Sequence, residues 1–217
     1  MPEENETPFD NIRLQIKPGI DRDSTSEAVT FPYSSGLSVS LLEKTPEGLI
    51  PITVDRVAEL NKNVKDLLQI AVSNTVKQEL HDLSVYDHRL TADDRIRLVA
   101  KDDSPFVSSI MISIERLLPA NIEFGALVSA PRYSTVLIYA VESDIALDVA
   151  VALDRLTRSM FAESTDALSA QLFWWHAGNY YPVGINTNTS GSPKLSLPPE
   201  LSSVVNQLPQ SGRRLGD

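Results

Sequence analysis

The residues of this chain best suited to chemistry or recognition are few: three histidines, two adjacent tryptophans and the adjacent aspartates Asp102-Asp103. His81 ends an apolar-striped segment, His88 follows Asp87, and His176 follows Trp174-Trp175. Asp87, His88 and Asp102 are metal-ligating types, but no His-x-x-x-His or comparable spacing accompanies them. A serine triad needs a histidine beside a serine and an acid, and no serine stands in a Gly-x-Ser-x-Gly elbow. Asp102-Asp103 has the form of a carboxylate pair for magnesium or proton transfer. The Ser104-Pro105 that follows offers another reading, in which the acids favour the positive end of a helix. Gly-x-Gly is absent, which argues against the common phosphate loops. With no cysteine, thiolate chemistry, zinc-thiolate sites and disulfides are excluded. No catalytic residue is named by motif, and no metal or cofactor is expected.

Two features suit binding. Trp174, Trp175, His176 and Tyr180 form the densest aromatic group. In a strand Trp174 and Trp175 point to opposite faces. One then belongs to a core, and the other either lines a groove or interface or packs in a second core or a cross-strand pair. Arg132, in a Pro131-Arg132-Tyr133 turn between apolar runs, either receives a carboxylate or phosphate or is solvated or internally paired.

The net charge of −10, from 19 basic and 29 acidic residues, bounds the partners. Nucleic acid and anionic membranes call for clustered Lys and Arg, and Arg213-Arg214 is the one such pair. Neither partner is expected; a basic protein partner suits the acidity, as does a merely solvated surface. The polar, acidic start Met1–Pro8 lacks the basic-then-apolar form of a signal peptide, and no run reaches the roughly 18 apolar residues of a membrane span. A soluble, cytoplasmic protein is expected.

The elements that must position these residues are legible from periodicity. Residues 1–27 read as an acidic, disordered segment, 28–185 as one domain, and 186–217 as a flexible Pro/Ser-rich tail. Leu37, Val39 and Leu41 alternate, Thr45-Pro-Glu-Gly48 is a turn, and residues 49–52 return. Thr53 caps a short helical turn. Val64, Leu67, Leu68, Ala71, Val72, Val76 and Leu80 stripe a helix. Strands follow around 83–85 and 96–98. Ser104 as N-cap and Pro105 at the first helical position start a helix that Pro119 stops. Residues 126–130 and 135–141 are strands, Ser143 caps a helix over 144–161 with Asp148 and Asp154 off its buried face, and 171–185 is a hairpin turning at Gly178. Strand-strand-helix thus occurs three times before a closing hairpin. This predicts an α+β fold, a mainly antiparallel sheet with helices on one face. Leu201, Val204, Val205 and Leu208 have helical spacing within the tail, and either dock on the chain's own body or serve a partner.

Asn74 after its amphipathic stretch, Asp102-Asp103-Ser104-Pro105 leading to Ser108-Ser109, Ala130-Pro131-Arg132 before an apolar strand, and 172–178 occur in an order that resembles the YtpQ-like family, uncharacterised bacterial proteins with a domain of unknown function. The resemblance covers about residues 35–185 and implies a bacterial, intracellular α+β protein. It brings no activity, ligand or catalytic residue.

The first functional expectation is a non-enzymatic binding or protein-interaction module that uses the outward tryptophan. The alternative is an enzyme or small-ligand receptor of unfamiliar type, with Asp87, His88, Asp102, Asp103 and Arg132 converging from helix starts and turns. A homo-oligomer joined through a sheet edge or the C-terminal segment is the third.

Overall fold

Near the N-terminus Ile12, Leu14 and Ile16 alternate with Arg13, Gln15 and Lys17, the period of a strand with one apolar face. The computed structural model describes residues 9–19, 28–90, 94–187 and 193–211. It places these residues in strand β1 (Ile12–Pro18). The expected disorder of 1–27 therefore fails here, while residues 1–8 and 20–27 lie outside the described residues. The polar alternates are not solvated. Arg13, 2% exposed, donates from Nε to Glu79 Oε1 at 2.7 Å, and Gln15 Nε2 donates to the Pro105 carbonyl at 2.7 Å. Strands β2 (Thr30–Ser34), β3 (Leu37–Thr45) and β4 (Gly48–Pro51) complete a small antiparallel sheet, in which β3 pairs with β1 on one side and with β2 and β4 on the other.

Helix α1 (Val54–Glu59) starts where expected, with Thr53 Oγ1 accepting from the Arg56 N–H at 3.2 Å. Helix α2 (Val64–Asn74) continues into a π turn, Thr75–Glu79. Strands β5 (Ser84–Arg89) and β6 (Arg95–Ala100) form a hairpin. A 3-10 segment, Val107–Leu117, leads to β7 (Ala126–Arg132) and β8 (Thr135–Ala140). Helix α3 (Ile145–Ala162), strands β9 (Leu172–His176), β10 (Asn179–Thr187) and β11 (Pro193–Ser196), and a short α4 (Ser202–Asn206) end the described chain. β5 to β11 build one seven-stranded sheet in the order β11-β10-β9-β7-β8-β6-β5, every pairing antiparallel. The fold is α+β with a mainly antiparallel sheet, as expected.

Alternation decides what covers that sheet. Val99, Val128, Val136, Phe173 and Trp175 face one core, shared with α2, the 3-10 segment and the apolar face of the small sheet. Ile96, Leu127, Leu137, Leu172 and Trp174 face a second core beneath α3 and the C-terminal segment. Helical elements therefore cover both faces, not one, because both faces are apolar.

Three local expectations are corrected by tertiary partners. The segment after Pro105 starts at Val107, is 3-10, and breaks at Ser113 (φ −143°, ψ 40°). Asp102-Asp103 form a turn closed by the Ser104 N–H on the Lys101 carbonyl at 3.2 Å, and Ser104 Oγ accepts only from the Phe106 N–H, at 3.3 Å. On α3, Asp144 rather than Ser143 holds the N-cap position, and Asp154 is buried. In the C-terminal segment Leu201, Val204 and Leu208 dock in cis on the second core, tied down by the Ser211 N–H to Asp144 Oδ1 at 2.8 Å. Residues 188–192 and 212–217 of the expected tail lie outside the described residues.

The approach to β7 depends on one glycine. Gly125 has φ +79°, and a Cβ there would sit 2.0 Å from the Trp175 carbonyl oxygen. Both strain and collision oppose any side chain. Gly125→Ala is expected to lose about 3 kcal/mol, the upper end of ordinary single substitutions, measurable by urea denaturation.

Candidate functional site

The tryptophans go to opposite faces, as alternation requires, but both faces are core. Trp174 is fully buried, with Nε1 donating to the Phe124 carbonyl at 2.8 Å. Trp175 is 7% exposed, so no tryptophan is left to anchor a partner. Ala177 (φ 47°) and Gly178 (φ 81°) make the β9–β10 turn left-handed at both central positions, the twist that suits a two-residue hairpin. His176 is partly buried at the strand end. The Tyr180 and Tyr33 hydroxyls both donate to the Met111 carbonyl at 2.8 Å, two residues before the Ser113 break. Burial pushes the Tyr180 hydroxyl well above its ordinary pKa, and the neighbouring Tyr33 and Glu115 act in the same direction. The aromatic group holds the two sheets together rather than facing outward.

The second set does not converge. Asp87 and His88 are neighbours on β5 and so point to opposite faces. Asp87 lies opposite Arg97, while Asp102 lies beyond Ala100 at the far end of the same strand. The three steps from Arg97 to Ala100 alone span about 10 Å. Arg132 is turned to α3, Nε donating to the Met160 carbonyl at 3.4 Å.

Asp102 and Asp103 do stand between two clefts. One, of about 390 Å³, includes Lys44, Glu79 and Lys101. The other, of about 620 Å³, includes Tyr133, Ser134 and Asp166. Their charged groups are largely taken up within the chain. Lys44 Nζ lies 3.1 Å from Glu79, and Lys101 Nζ lies 2.6 Å from Asp82. Burial works against the Asp166 carboxylate, but donors from Ser134 and Ser164 outweigh it and hold its pKa below the ordinary value. Glu79 behaves likewise: desolvation opposes its charge, and hydrogen bonds from Arg13 and Lys44 prevail and lower its pKa. Among the described residues no three acidic or histidine side chains gather to hold a metal.

The chain matches no known family model, no curated protein and no solved structure. The site therefore has to be read from geometry.

What periodicity did not reveal is the state of the sheet edges. β1 is sealed by side chains: Thr75 Oγ1 accepts from the Leu14 N–H at 2.8 Å, and Ser109 Oγ accepts from the Ile16 N–H at 3.3 Å. β2 carries Pro32 and an irregular register, β4 is four residues ending in Pro51, and β11 is four residues beginning Pro193-Lys194. Proline, bulges, short length and charged side chains, lysine above all, are the devices that blunt edges. β5 has no proline, lysine or bulge; its charged residues are Asp87 and Arg89, beside His88. It is six residues long, in unbroken register with β6, exposed at every position, and among the described residues paired only with β6. Val85 is 47% and Tyr86 57% exposed. The signal available in the sequence was the absence of proline and lysine from 84–89. Asp87 and His88 lie on this edge, so two of the expected binding residues are placed together there.

Two outcomes test this placement. Trp175→Ala is expected to destabilise the fold by about 3–5 kcal/mol, seen as a lowered denaturation midpoint, rather than to disturb a surface. Glu79→Gln leaves Arg13 buried without its carboxylate and is expected to lose about 3–5 kcal/mol near neutral pH. Because the folded-state pKa of Glu79 is depressed, its contribution is present above the unfolded-state value and is lost as pH falls through the folded value. The gap between wild type and variant should therefore close in acid, as followed by denaturation at stepped pH.

Proposed function

We propose that this is a bacterial, cytoplasmic, non-enzymatic interaction module that receives an extended segment along β5. The single observation that carries this reading is the fully exposed six-residue edge, without proline, lysine or bulge, in a fold that blunts its other edges with those devices or with side-chain seals. Adding a strand to such an edge gives main-chain hydrogen bonds for affinity and alternate side chains for specificity. The two clefts at Asp102–Pro105 include no histidine among their lining residues, and their lysines are paired with Glu79 and Asp82. No helix among the described residues is long and apolar enough to cross a membrane. The order of motifs that resembles the YtpQ-like bacterial proteins supports the setting.

Selection of short random peptides on the wild-type protein is expected to enrich extended, alternating sequences. Val85→Pro should abolish that binding with the fold intact, and hydrogen exchange at the Val85 and Asp87 amides should slow when a selected peptide is bound. Peptides that bind equally well to the proline variant would refute docking on β5. A second reading, a small-ligand receptor, draws on the two clefts meeting at Asp102–Pro105. Native mass spectrometry of gently purified protein checks it, since a retained small molecule is required by that reading alone.

A further inference from the structure

We infer that the occupant of the β5 edge is β5 of a second copy, paired antiparallel about a two-fold axis at His88; this rests on the reading of β5 as a docking edge. The backbone comes first. The Leu90 N–H donates to the Asp94 carbonyl at 3.0 Å, one step beyond the Arg89–Arg95 pair. Bonded and non-bonded pairs alternate in an antiparallel ladder. His88, Tyr86 and Ser84 therefore bond to β6, and Val85, Asp87 and Arg89 turn their N–H and C=O groups outward.

The side chains then state what the added strand must carry. Val85 and Asp87 lie on the face of Val99 and Arg97, and Tyr86 lies on the face of Leu98. A residue set opposite Asp87 takes its two outward backbone bonds and lies beside its carboxylate, so a cation is required there. The next residue toward the occupant's C-terminus falls opposite exposed Tyr86 and should be apolar. Cation-then-apolar is Arg89-Leu90 of this same chain. Two copies thus place Asp87 of each opposite Arg89 of the other, and Leu90 of each opposite Tyr86 of the other. Arg89 has a contact within its own chain; its guanidinium carries five donors and is exposed, so it can serve both partners.

The other registers are worse. Sliding by two residues one way sets Asp87 against Asp87, like charges directly opposite. Sliding by one turns the outward backbone groups of one copy away from those of the other and inverts the faces. A six-residue edge is smaller than the roughly 1,200 Å² of a stable interface, so the dimer is reversible and concentration-dependent.

Sedimentation velocity of the full chain, from low micromolar to near-millimolar concentration, tests this. Wild type is expected to pass from monomer to dimer. D87R and R89D should each weaken association by about tenfold or more, with folding checked by circular dichroism. The double variant D87R/R89D should recover it. An equimolar mixture of D87R and R89D should form a heterodimer, because both ion pairs are restored across it. A wild type that stays monomeric throughout overturns the inference, as does a dimer indifferent to these changes. If the monomer still binds selected peptides at β5, only the second copy is refuted; if it binds none, the docking edge falls with it.

Discussion

A sheet that is apolar on both faces cannot stand alone in water, and most of this molecule is arranged to cover one. Successive residues of β9 show the constraint most directly, since Phe173 and Trp175 fill one core while Leu172 and Trp174 fill the other. A helix is about 10 Å across, the width of roughly two strands, so α3 over β7 and β9 leaves the far strands bare. The C-terminal segment fills part of that need, bringing Leu201, Val204 and Leu208 onto the same core. On the other face the 3-10 segment lies between β8 and β1, with the small sheet behind it. Its irregular geometry follows from the neighbours it must satisfy, with Tyr33 and Tyr180 both on the Met111 carbonyl and Gln15 on the Pro105 carbonyl.

The same covering requirement explains where the hydroxyl groups went. Thr75 and Ser109 complete the backbone of β1, Ser129 and Thr157 meet at 2.8 Å between β7 and α3, and Ser134 donates to Asp166. The Thr75, Ser109, Ser129 and Thr157 hydroxyls thereby satisfy buried polar groups that would otherwise lack a partner. At the two clefts beside Asp102–Pro105, the lysines and Asp166 are likewise occupied with other side chains. At β5 neither face is sealed, and the edge carries no proline, lysine or bulge.

Strand and helix boundaries were legible wherever burial follows local periodicity. The Thr45–Gly48 turn, the Thr53 cap, the stripe of α2 and the turn at Gly178 all stand where spacing put them. What was not legible depends on distant partners. β1 was not legible because it lies within an acidic, polar segment, and the partners of its Arg13 and Gln15 lie 66 and 90 residues away. Asp154 read as exposed because a carboxylate off the apolar stripe suits solvent, although its side chain is buried with Oδ2 on Arg158, one turn along the same helix. The capping signal at Ser104-Pro105 was real chemistry in the wrong role, since its acids form a turn between clefts. From the sequence, one of the two tryptophans stays open between a groove and a second core, because helices are expected on one sheet face only. Of the expected site, Asp102 and Asp103 share an exposed turn between two clefts and Asp87 and His88 an exposed strand, and what makes that strand a site is its place at the end of the order, which no local pattern reports.

An edge strand left open is a hazard unless something limits what it accepts. Here backbone and side chains impose different limits. The outward groups at Val85 and Asp87 accept any extended chain, and exposed Val85 and Tyr86 add apolar attraction without much choice. Charge supplies the choice. With Asp87 and Arg89 on the same face two residues apart, an incoming strand is favoured in one register and opposed when it slides so that like charges meet. A neutral β5 would pair with itself in several registers. Opposing Asp87 to Arg89 would favour one of them, and in the proposed dimer that pairing would use up the edge on both copies, closing assembly at two.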